Sequence, residues 1–521
     1  MTGRAVDWLR QPLLSERPAS ANRRARTLLF LAWLAVTLAL AANHVPWRDE
    51  ARAWSLMLMG DGWAGMFRTV QGEGHPFLWY VLLRVGWDLF GVPEVLRVTG
   101  LVIGVAAVAL LVLRGPFRLA MLAVLIFSLH LGFEYTVLAR NYGISALLML
   151  AIAAWWQRLR DSLWLGVLLA LLCNTNVPSV FVAGSLLVYR LLEIWDEQRR
   201  VDLNSAQWRR LISNGLLLGL GALLCFLAVY PPVNDAAASA ASAPLTPMNL
   251  LGALFTPERS FIAIGFGRGS MVGQLVLYAS LLIFIDRPRA LLTAIAALLS
   301  LKLFFFFVYP GYYRHSALFF VLMIALAWIE ADKGWVREWK QDPPRPVLWI
   351  GSTAFALLMV MQTTRYLHYP IGNLVLGRPY SHAADLAAIL ARPEFAGATL
   401  MIDPDTMGES VAYQTGRPFW LIRQNRPGTV TPLALSGNKQ LTLDRLLEQA
   451  AEVRARTARP VVIALNLPLN EINSGSHDMM YEDYTQLTPD SVARFRASTR
   501  MVASLRKGGG DEEYDVYVFP R

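Results

Sequence analysis

Residues 27–43 read TLLFLAWLAVTLALAAN, and residues 44–54 continue HVPWRDEARAW. The first stretch is almost entirely apolar and matches the roughly 17 to 25 residues that a helix needs to cross a bilayer. The second stretch is charged and aromatic. Because apolar runs like the first recur as far as Met361, we predict a membrane domain built from spanning helices.

The apolar runs predict about eleven spans. They lie at 27–43, 95–113, 118–133, 141–157, 162–175, 177–192, 211–230, 272–286, 289–308, 313–330 and 346–363. A further apolar stretch, PFLWYVLLRVGWDLFG from Pro76 to Gly91, would invert everything after it if it crossed the membrane. Arg84 and Asp88 lie on one helical face of that stretch, so we predict a juxtamembrane helix instead.

The last part of the chain contains no run of this length. Strands are predicted at ATLMID (398–403), PFWLIR (418–423), PVVIALN (460–466) and DVYVF (515–519), and a helix at TLDRLLEQAAEVRAR (442–456). The predicted fold class is an all-α polytopic membrane domain with juxtamembrane helices, followed by a small α/β domain. The predicted domains are an N-terminal segment 1–26, a transmembrane domain 27–363 with a first outer loop 44–94, and the α/β domain 364–521.

The distribution of charge predicts the orientation in the membrane. The first 26 residues carry six Arg, and every second connection between spans is basic: 114–118, 158–160, 199–210, 287–289 and 333–345. Basic loops stay in the cytoplasm, so we predict a multi-pass protein of a bacterial inner membrane, with the N-terminus inside and the C-terminal domain outside. The same distribution argues against nucleic-acid binding as the explanation of the net charge of +10.

With this orientation, the unusual polar residues collect on the outer side. They belong to HVPWRDEARAW, to GHPFLWYVLL (74–83), to FEYTVLARNYG (133–143) and to GYYRHSALF (311–319). Lys302 lies within a span, where an unpaired ammonium group is costly. Such a lysine is expected to face a partner or an anion.

These four elements, in this order, resemble those of GT-C glycosyltransferases, which include protein O-mannosyltransferases, the lipid A aminoarabinose transferase and rhizobial core transferases. That family has an Asp-Glu pair in a long first outer loop, a His or Lys before Pro, and later Arg-Tyr elements. This chain departs from the pattern at Leu138, where Glu is frequent, and at His315, where Tyr is usual. The departures leave the reaction class in place but put the substrate in doubt.

The resemblance implies transfer of a sugar from a polyprenyl-phosphate donor, of the undecaprenyl type, to an acceptor hydroxyl, with inversion. Asp49 is then the base. Glu50 either orients Asp49 or joins it in holding a divalent cation; no other cofactor is implied. The residues implied for the donor phosphate and lipid carrier are His75, Arg140, Arg259, Lys302 and Arg314. Those implied for substrate are Trp47, Glu73, Glu134, Tyr142, Tyr313 and His315.

Two other hypotheses remain open at this stage. A transporter or lipid flippase would be expected to show internal symmetry and polar residues at mid-membrane, whereas here the polar residues crowd one side. A catalytically inactive scaffold would need none of the acidic and basic motif residues. The sequence leaves open the sugar, the acceptor, which is a glycan, a lipid or a protein, and the oligomeric state.

Overall fold

The computed structural model describes residues 22–230, 243–255, 261, 271–333, 345–434, 438–470 and 474–520. Seven helices in this part of the chain are long and apolar enough to cross a membrane, and three shorter helices are also apolar. The side chains of Leu28, Leu216 and Leu275 are more than half exposed, as expected for groups that face lipid rather than water. The chain is a multi-pass membrane protein.

Every predicted span coincides with a helical segment. These segments and the helices between them are α1 (Arg23–Asn43), α2 (Arg48–Leu58), α3 (Gly62–Val70), α4 (Leu78–Phe90), α5 (Val95–Arg114), α6 (Leu119–Ile126), α7 (Tyr142–Ala154), α8 (Trp156–Leu159), α9 (Leu163–Cys173), α10 (Pro178–Gln198), α11 (Ala206–Val229), α12 (Pro247–Phe255), α13 (Met271–Ser280), α14 (Pro288–Phe307), α15 (Tyr313–Asp332), α16 (Arg345–Tyr366) and α17 (Gly372–Val375). A π-helical turn, His130–Glu134, continues the short α6, and a 3₁₀ turn, Leu281–Phe284, continues α13. The stretch 76–91 forms α4, in which Arg84 Nε donates to Asp88 Oδ1 at 2.9 Å.

Small residues set the closest helix packing. At Gly221 of α11, an added Cβ would lie 2.5 Å from the Cα of Ala170 in α9. The approach exposes backbone groups to side chains of the other helix: Asn174 Nδ2 donates to the carbonyl of Gly221 at 2.9 Å, and the amide of Gly166 donates to Asn214 at 3.2 Å. In a bilayer, the hydrophobic effect does not drive helices together, so close packing of this kind and interhelical hydrogen bonds drive their association instead.

The described residues form two compact units. The membrane unit contains residues up to 41, 71–230 and the described part of 243–369. The α/β unit contains residues 42–70 and those from 370 onward. The beginning of the predicted outer loop therefore packs with the C-terminal residues, while the domain boundaries drawn from the sequence remain a prediction.

The C-terminal part of the α/β unit contains the predicted strands and helix. Its elements are α18 (Ala383–Leu390), β1 (Thr399–Asp403), α19 (Gly408–Thr415), β2 (Phe419–Leu421), β3 (Arg426–Gly428), β4 (Gln440–Thr442), α20 (Leu443–Thr457), β5 (Val461–Leu465), β6 (Gly475–Met480), β7 (Asp483–Leu487), α21 (Pro489–Ser498), β8 (Arg500–Leu505) and β9 (Tyr514–Phe519). The fold class predicted from the sequence, a helical membrane domain followed by a small α/β domain, is confirmed.

A six-stranded sheet with the order β3-β2-β1-β5-β9-β8 forms the centre of this unit. Strands β2, β1 and β5 are parallel, and β9 is antiparallel to β5. Alternate residues of β1 point to opposite faces: Leu400 and Ile402 pack with α18 and α19, and Met401 packs with α20 and α21. The two-residue period of a strand thus builds a core on each face of the sheet. A separate three-stranded sheet has the order β4-β7-β6.

The acidic residues at the end of β1 have structural partners. Asp403 accepts hydrogen bonds from Arg423 Nη1 at 2.8 Å and from the Thr485 hydroxyl at 2.6 Å. Asp405 accepts from the backbone amides of Ile422 and Arg423 at 2.7 and 3.1 Å, and its burial raises its pKa to about 7. These contacts fix the turn after β1 and its neighbouring strands.

We expect Gly221→Ala to destabilise the membrane unit by about 1 to 3 kcal/mol, because overpacking of a close contact displaces the neighbouring backbone. The control is Gly219→Ala in the same helix, where an added Cβ meets nothing within 4 Å. The measurement is thermal unfolding of the two variants in detergent. Equal melting temperatures would show that the α9–α11 contact does not limit stability.

Candidate active site

The predicted acidic pair lies in the first turn of α2. Trp47 precedes the helix in an extended conformation, and the helix begins at Arg48. Asp49 and Glu50 are the acidic residues of this first turn, where negative charge is favoured by the unpaired amides and the helix dipole. The side chain of Asp49 is half-buried, and that of Glu50 is fully buried.

The two carboxylates differ in what surrounds them. Glu50 Oε2 accepts hydrogen bonds from the backbone amide of Trp47 at 3.1 Å and from His44 Nε2 at 2.7 Å. The first of these caps the N-terminus of α2, as a Glu at the third helical position can. Glu50 therefore fits a structural role as the cap of α2. Among the residues that the structure describes, no group of three or more His, Cys, Asp or Glu side chains is arranged to hold one.

Trp47, a predicted substrate contact, packs within the α/β unit. The edge of its indole meets the ring of Tyr380 with centroids 5.6 Å apart, and the guanidinium of Arg48 lies 4.7 Å from its ring centroid. His44 also contacts Tyr380, at 5.4 Å between ring centroids. The rings of His44 and Trp47 thus both pack against Tyr380 next to the first turn of α2.

In the membrane unit, the second sequence element meets the third. Arg140 Nη2 lies 3.0 Å from His75 Nε2. A guanidinium group can only donate, so the imidazole accepts at Nε2 and carries its proton at Nδ1. Nδ1 lies 3.4 Å from the carbonyl oxygen of Glu73. The contact fixes the orientation of a neutral imidazole beside a permanent positive charge.

The third element also meets the fourth. The Arg314 guanidinium pairs with the carboxylate of Glu134 at 3.6 Å, and the hydroxyl of Tyr135 donates to the Arg314 carbonyl at 2.7 Å. Glu134 is buried, and a buried carboxylate needs a nearby cation. The structure therefore joins a residue predicted to bind substrate to one predicted to bind phosphate.

A second contact between these elements involves His315. Its Nδ1 accepts from the backbone amide of Tyr312 at 2.9 Å, so the proton of the neutral ring lies on Nε2. Nε2 lies 2.8 Å from the hydroxyl of Tyr142 and donates to it. The rings of Tyr142 and Tyr309 flank the imidazole at 5.3 and 5.4 Å between centroids.

Of the remaining predicted residues, one begins α15, one lies in α14 and one lies outside the described chain. The hydroxyl of Tyr313 lies 3.2 Å from His130 Nδ1. Lys302 is fully buried, and its ammonium group lies 5.5 Å from the ring centroid of Tyr278. Arg259 falls outside the described residues.

Sequence reasoning missed several partners. His44 stands six residues before Glu50, so its proximity to the motif was a usable signal. Tyr135 lies within the element 133–143 and His130 just before it, but both resemble ordinary buried residues. We call His75, Glu134, Arg140, Tyr142, Arg314 and His315 the polar cluster of the membrane unit. The cluster provides two guanidinium groups, which are suited to binding an anion, and two neutral imidazoles oriented by their hydrogen bonds.

Comparison with known proteins gives two similar solved structures. No family model and no curated protein sequence matches the chain. The two structures are of ArnT from Cupriavidus metallidurans, one bound to undecaprenyl phosphate and one in the apo state. Each is 14% identical to this chain, over 94% of this chain and 97% of the other. The TM-scores are 0.45 for the lipid-bound structure and 0.47 for the apo structure.

We expect Glu50→Ala to loosen the start of α2, because the amide of Trp47 and the ring of His44 lose their acceptor. Loss of such a cap costs about 1 to 2 kcal/mol, so deuterium uptake at the amides of residues 47–51 should rise about 5- to 30-fold. The control is Asp61→Ala, which removes an exposed acidic side chain just after α2. Unchanged exchange in Glu50→Ala would contradict a capping role and favour a different task for this carboxylate.

Proposed function

We propose that this protein is an integral membrane glycosyltransferase of the GT-C type, which transfers a sugar from a polyprenyl-phosphate donor to an acceptor hydroxyl with inversion. The observation that carries the proposal is the polar cluster. Three of the four sequence elements that resemble the family meet there, through His75 and Arg140, and through Glu134 and Arg314. A transporter would not need these particular pairs.

Arg140 and Arg314, with His75, would hold the phosphate of the donor. Guanidinium groups bind phosphate oxygens with charge-assisted hydrogen bonds. As the bond between the sugar and the phosphate breaks, negative charge grows on the leaving phosphate, so fixed cations stabilise the transition state more than the bound donor. Lys302 and Arg259 are further proposed cations for the same lipid phosphate.

Asp49 would be the general base. It would accept the proton of the acceptor hydroxyl as the oxygen attacks the anomeric carbon from the face opposite the phosphate. Attack from that face inverts the anomeric configuration. Glu50, by contrast, would keep α2 in place, and we route no step through a metal ion. Trp47, Glu73, Tyr142, Tyr313 and His315 remain proposed contacts for the sugar or the acceptor.

Asp49→Asn should lower the rate of sugar transfer at least about 100-fold, since general base catalysis contributes about 10² to 10⁴, and should leave lipid binding intact. Arg140→Gln should instead weaken binding of the lipid phosphate. Undecaprenyl phosphate, the lipid in one of the similar structures, is the probe for binding. Transfer is followed by mass spectrometry of envelope lipids and glycans.

The matched controls are Asp61→Asn and Arg68→Ala, which change exposed residues of the segment 59–70 and should behave as wild type. If cells with Asp49→Asn and cells without the protein lack the same glycan unit and accumulate the same polyprenyl-phosphate sugar, the donor is identified. Wild-type glycans in Asp49→Asn cells, with a defect in the deletion, would instead favour transport or scaffolding.

The proposed orientation is tested by cysteine labelling. Val92 and Val201 are exposed residues in connections on opposite proposed sides, at 43% and 61% exposure. A membrane-impermeant thiol reagent should label Val92→Cys in intact spheroplasts and label Val201→Cys only after permeabilisation. The native Cys173 and Cys225 are buried, so background labelling is expected to be low. The reverse pattern would invert the topology.

A further inference from the structure

Helix α2 is attached to the rest of the α/β unit through charged contacts made by Arg48. The backbone amide of Arg48 donates to Glu512 Oε1 at 2.7 Å. Its guanidinium group donates to both oxygens of Asp511, at 2.8 Å each. A bidentate guanidinium–carboxylate pair fixes orientation as well as distance. The residue immediately before Asp49 is thus held at three points.

One turn later, Arg52 makes a second attachment. Its Nη1 donates to Glu409 Oε1 at 2.7 Å and to the carbonyl of Thr431 at 2.8 Å. The carboxylate of Glu409 is almost fully buried. Because Arg48 and Arg52 are four residues apart, they lie on the same face of α2. Asp49 is about 100° farther round the helix than Arg48, and the attachment leaves it on a different side.

Apolar contacts also hold α2 and the residues just before it, at positions outside the face that carries Arg48 and Arg52. The ring of Trp54 meets Tyr413 of α19 edge-on, with centroids 6.2 Å apart. Val45, just before α2, packs against the core formed by α18, α19 and the sheet. Charged and apolar contacts therefore act together to hold α2.

The place where α2 docks is the edge of the sheet at the carboxyl ends of β1 and β5. Glu409 begins the helix that follows β1. Glu512 precedes β9, whose Asp515 pairs with Leu465 at the end of β5. The chain leaves β1 for β2 on one side of it and returns to β5 on the other. In open α/β sheets this switch point is where ligands usually bind.

We propose that Glu409 and Glu512 are positioning residues for Asp49, and that the α/β unit holds α2 at its switch point as other domains of this type hold a ligand. The inference rests on the proposed role of Asp49 as the base. Neither glutamate touches the substrate in this proposal. They set the orientation of the helix that carries the reacting carboxylate.

The burial of Glu512 supports this role. The side chain is 1% exposed, and burial raises its pKa to about 7, against the lowering effect of Arg48 and of the hydroxyl groups of Ser381 and Ser410. A carboxylate in such an environment is stabilised only while its hydrogen bonds are kept. Release of α2 would leave this group with fewer partners, so the docked arrangement is favoured.

The test compares Glu409→Ala and Glu512→Ala with wild type in the full-length protein in detergent. We expect kcat for sugar transfer to fall about tenfold or more, since misplacement of a catalytic group by about 1 Å can cost 10²-fold. The affinity for undecaprenyl phosphate should stay within about twofold, because the variants leave the polar cluster unchanged. Deuterium uptake should rise in residues 48–58 while β1 and β5 stay protected.

Two further variants separate positioning from general damage. Glu409→Gln keeps an acceptor oxygen for Arg52 and should restore most of the activity lost in Glu409→Ala. Glu394→Gln changes an exposed glutamate of the same unit and should have no effect. In an Asp49→Asn background, Glu409→Ala should cause no further loss, because no base remains to be positioned. An equal further loss there would overturn the proposal.

The outcomes also separate this inference from the proposed function. Full activity of Asp49→Asn would overturn both, because Asp49 would then not be the base. Loss of activity in Asp49→Asn together with wild-type kcat in Glu409→Ala and Glu512→Ala would overturn the positioning role alone. Increased exchange in β1 and β5 would assign the two glutamates to the stability of the sheet and would likewise overturn it.

Discussion

Removal of a charge from water costs several kcal/mol unless a partner compensates for it, and in this protein that cost governs where the ionisable side chains lie. Glu193 of α10 is fully buried, and it contacts the indole of Trp156, the guanidinium of Arg190 and the ammonium of Lys333. In the same way, the buried carboxylate of Glu134 in the membrane unit is paired with the guanidinium of Arg314. An isolated charge would be too costly at these buried positions, but an ionisable side chain with an ion-pair or hydrogen-bond partner is stable there. Such side chains keep fixed orientations because movement would break these contacts.

The sequence predicted the parts of the structure that depend on local patterns. Each of the eleven apolar runs coincides with a helical segment, and seven helices among the described residues are long enough to cross a membrane. Short apolar stretches predicted β1, β2, β5 and β9. The motifs around His75, Arg140 and Arg314 were predicted to belong together, and the described contacts join them in pairs. Their roles in binding and catalysis remain proposals.

The attachment of α2 could not be predicted, because Arg48 and Arg52 bind residues more than 350 positions away, and no local pattern marks Glu409 or Glu512. Likewise, the Asp-Glu pair shows two neighbouring acids but not that one of them caps a helix.

The different surroundings of Asp49 and Glu50 follow from helix geometry. Adjacent helical residues point about 100° apart, so two neighbouring carboxylates meet different surroundings. Glu50 is directed to the helix N-terminus and His44, while Asp49 is only half-buried. Two neighbouring carboxylates thus have different surroundings, one buried as a helix cap and one half-buried. The basic residues on either side, Arg48 and Arg52, attach the helix to the rest of the α/β unit.

Docking of α2 joins two segments of one polypeptide, and this has a consequence for how strong the contact must be. Where the intervening chain holds two segments as close as a short linker would, they meet at an effective concentration on the order of 1 mM. At that concentration, a contact with an intrinsic dissociation constant of about 10 µM would be formed about 99% of the time. The same contact between separate molecules at nanomolar abundance would hardly form. Continuity of the chain, rather than tight binding, is then sufficient to keep the helix in place.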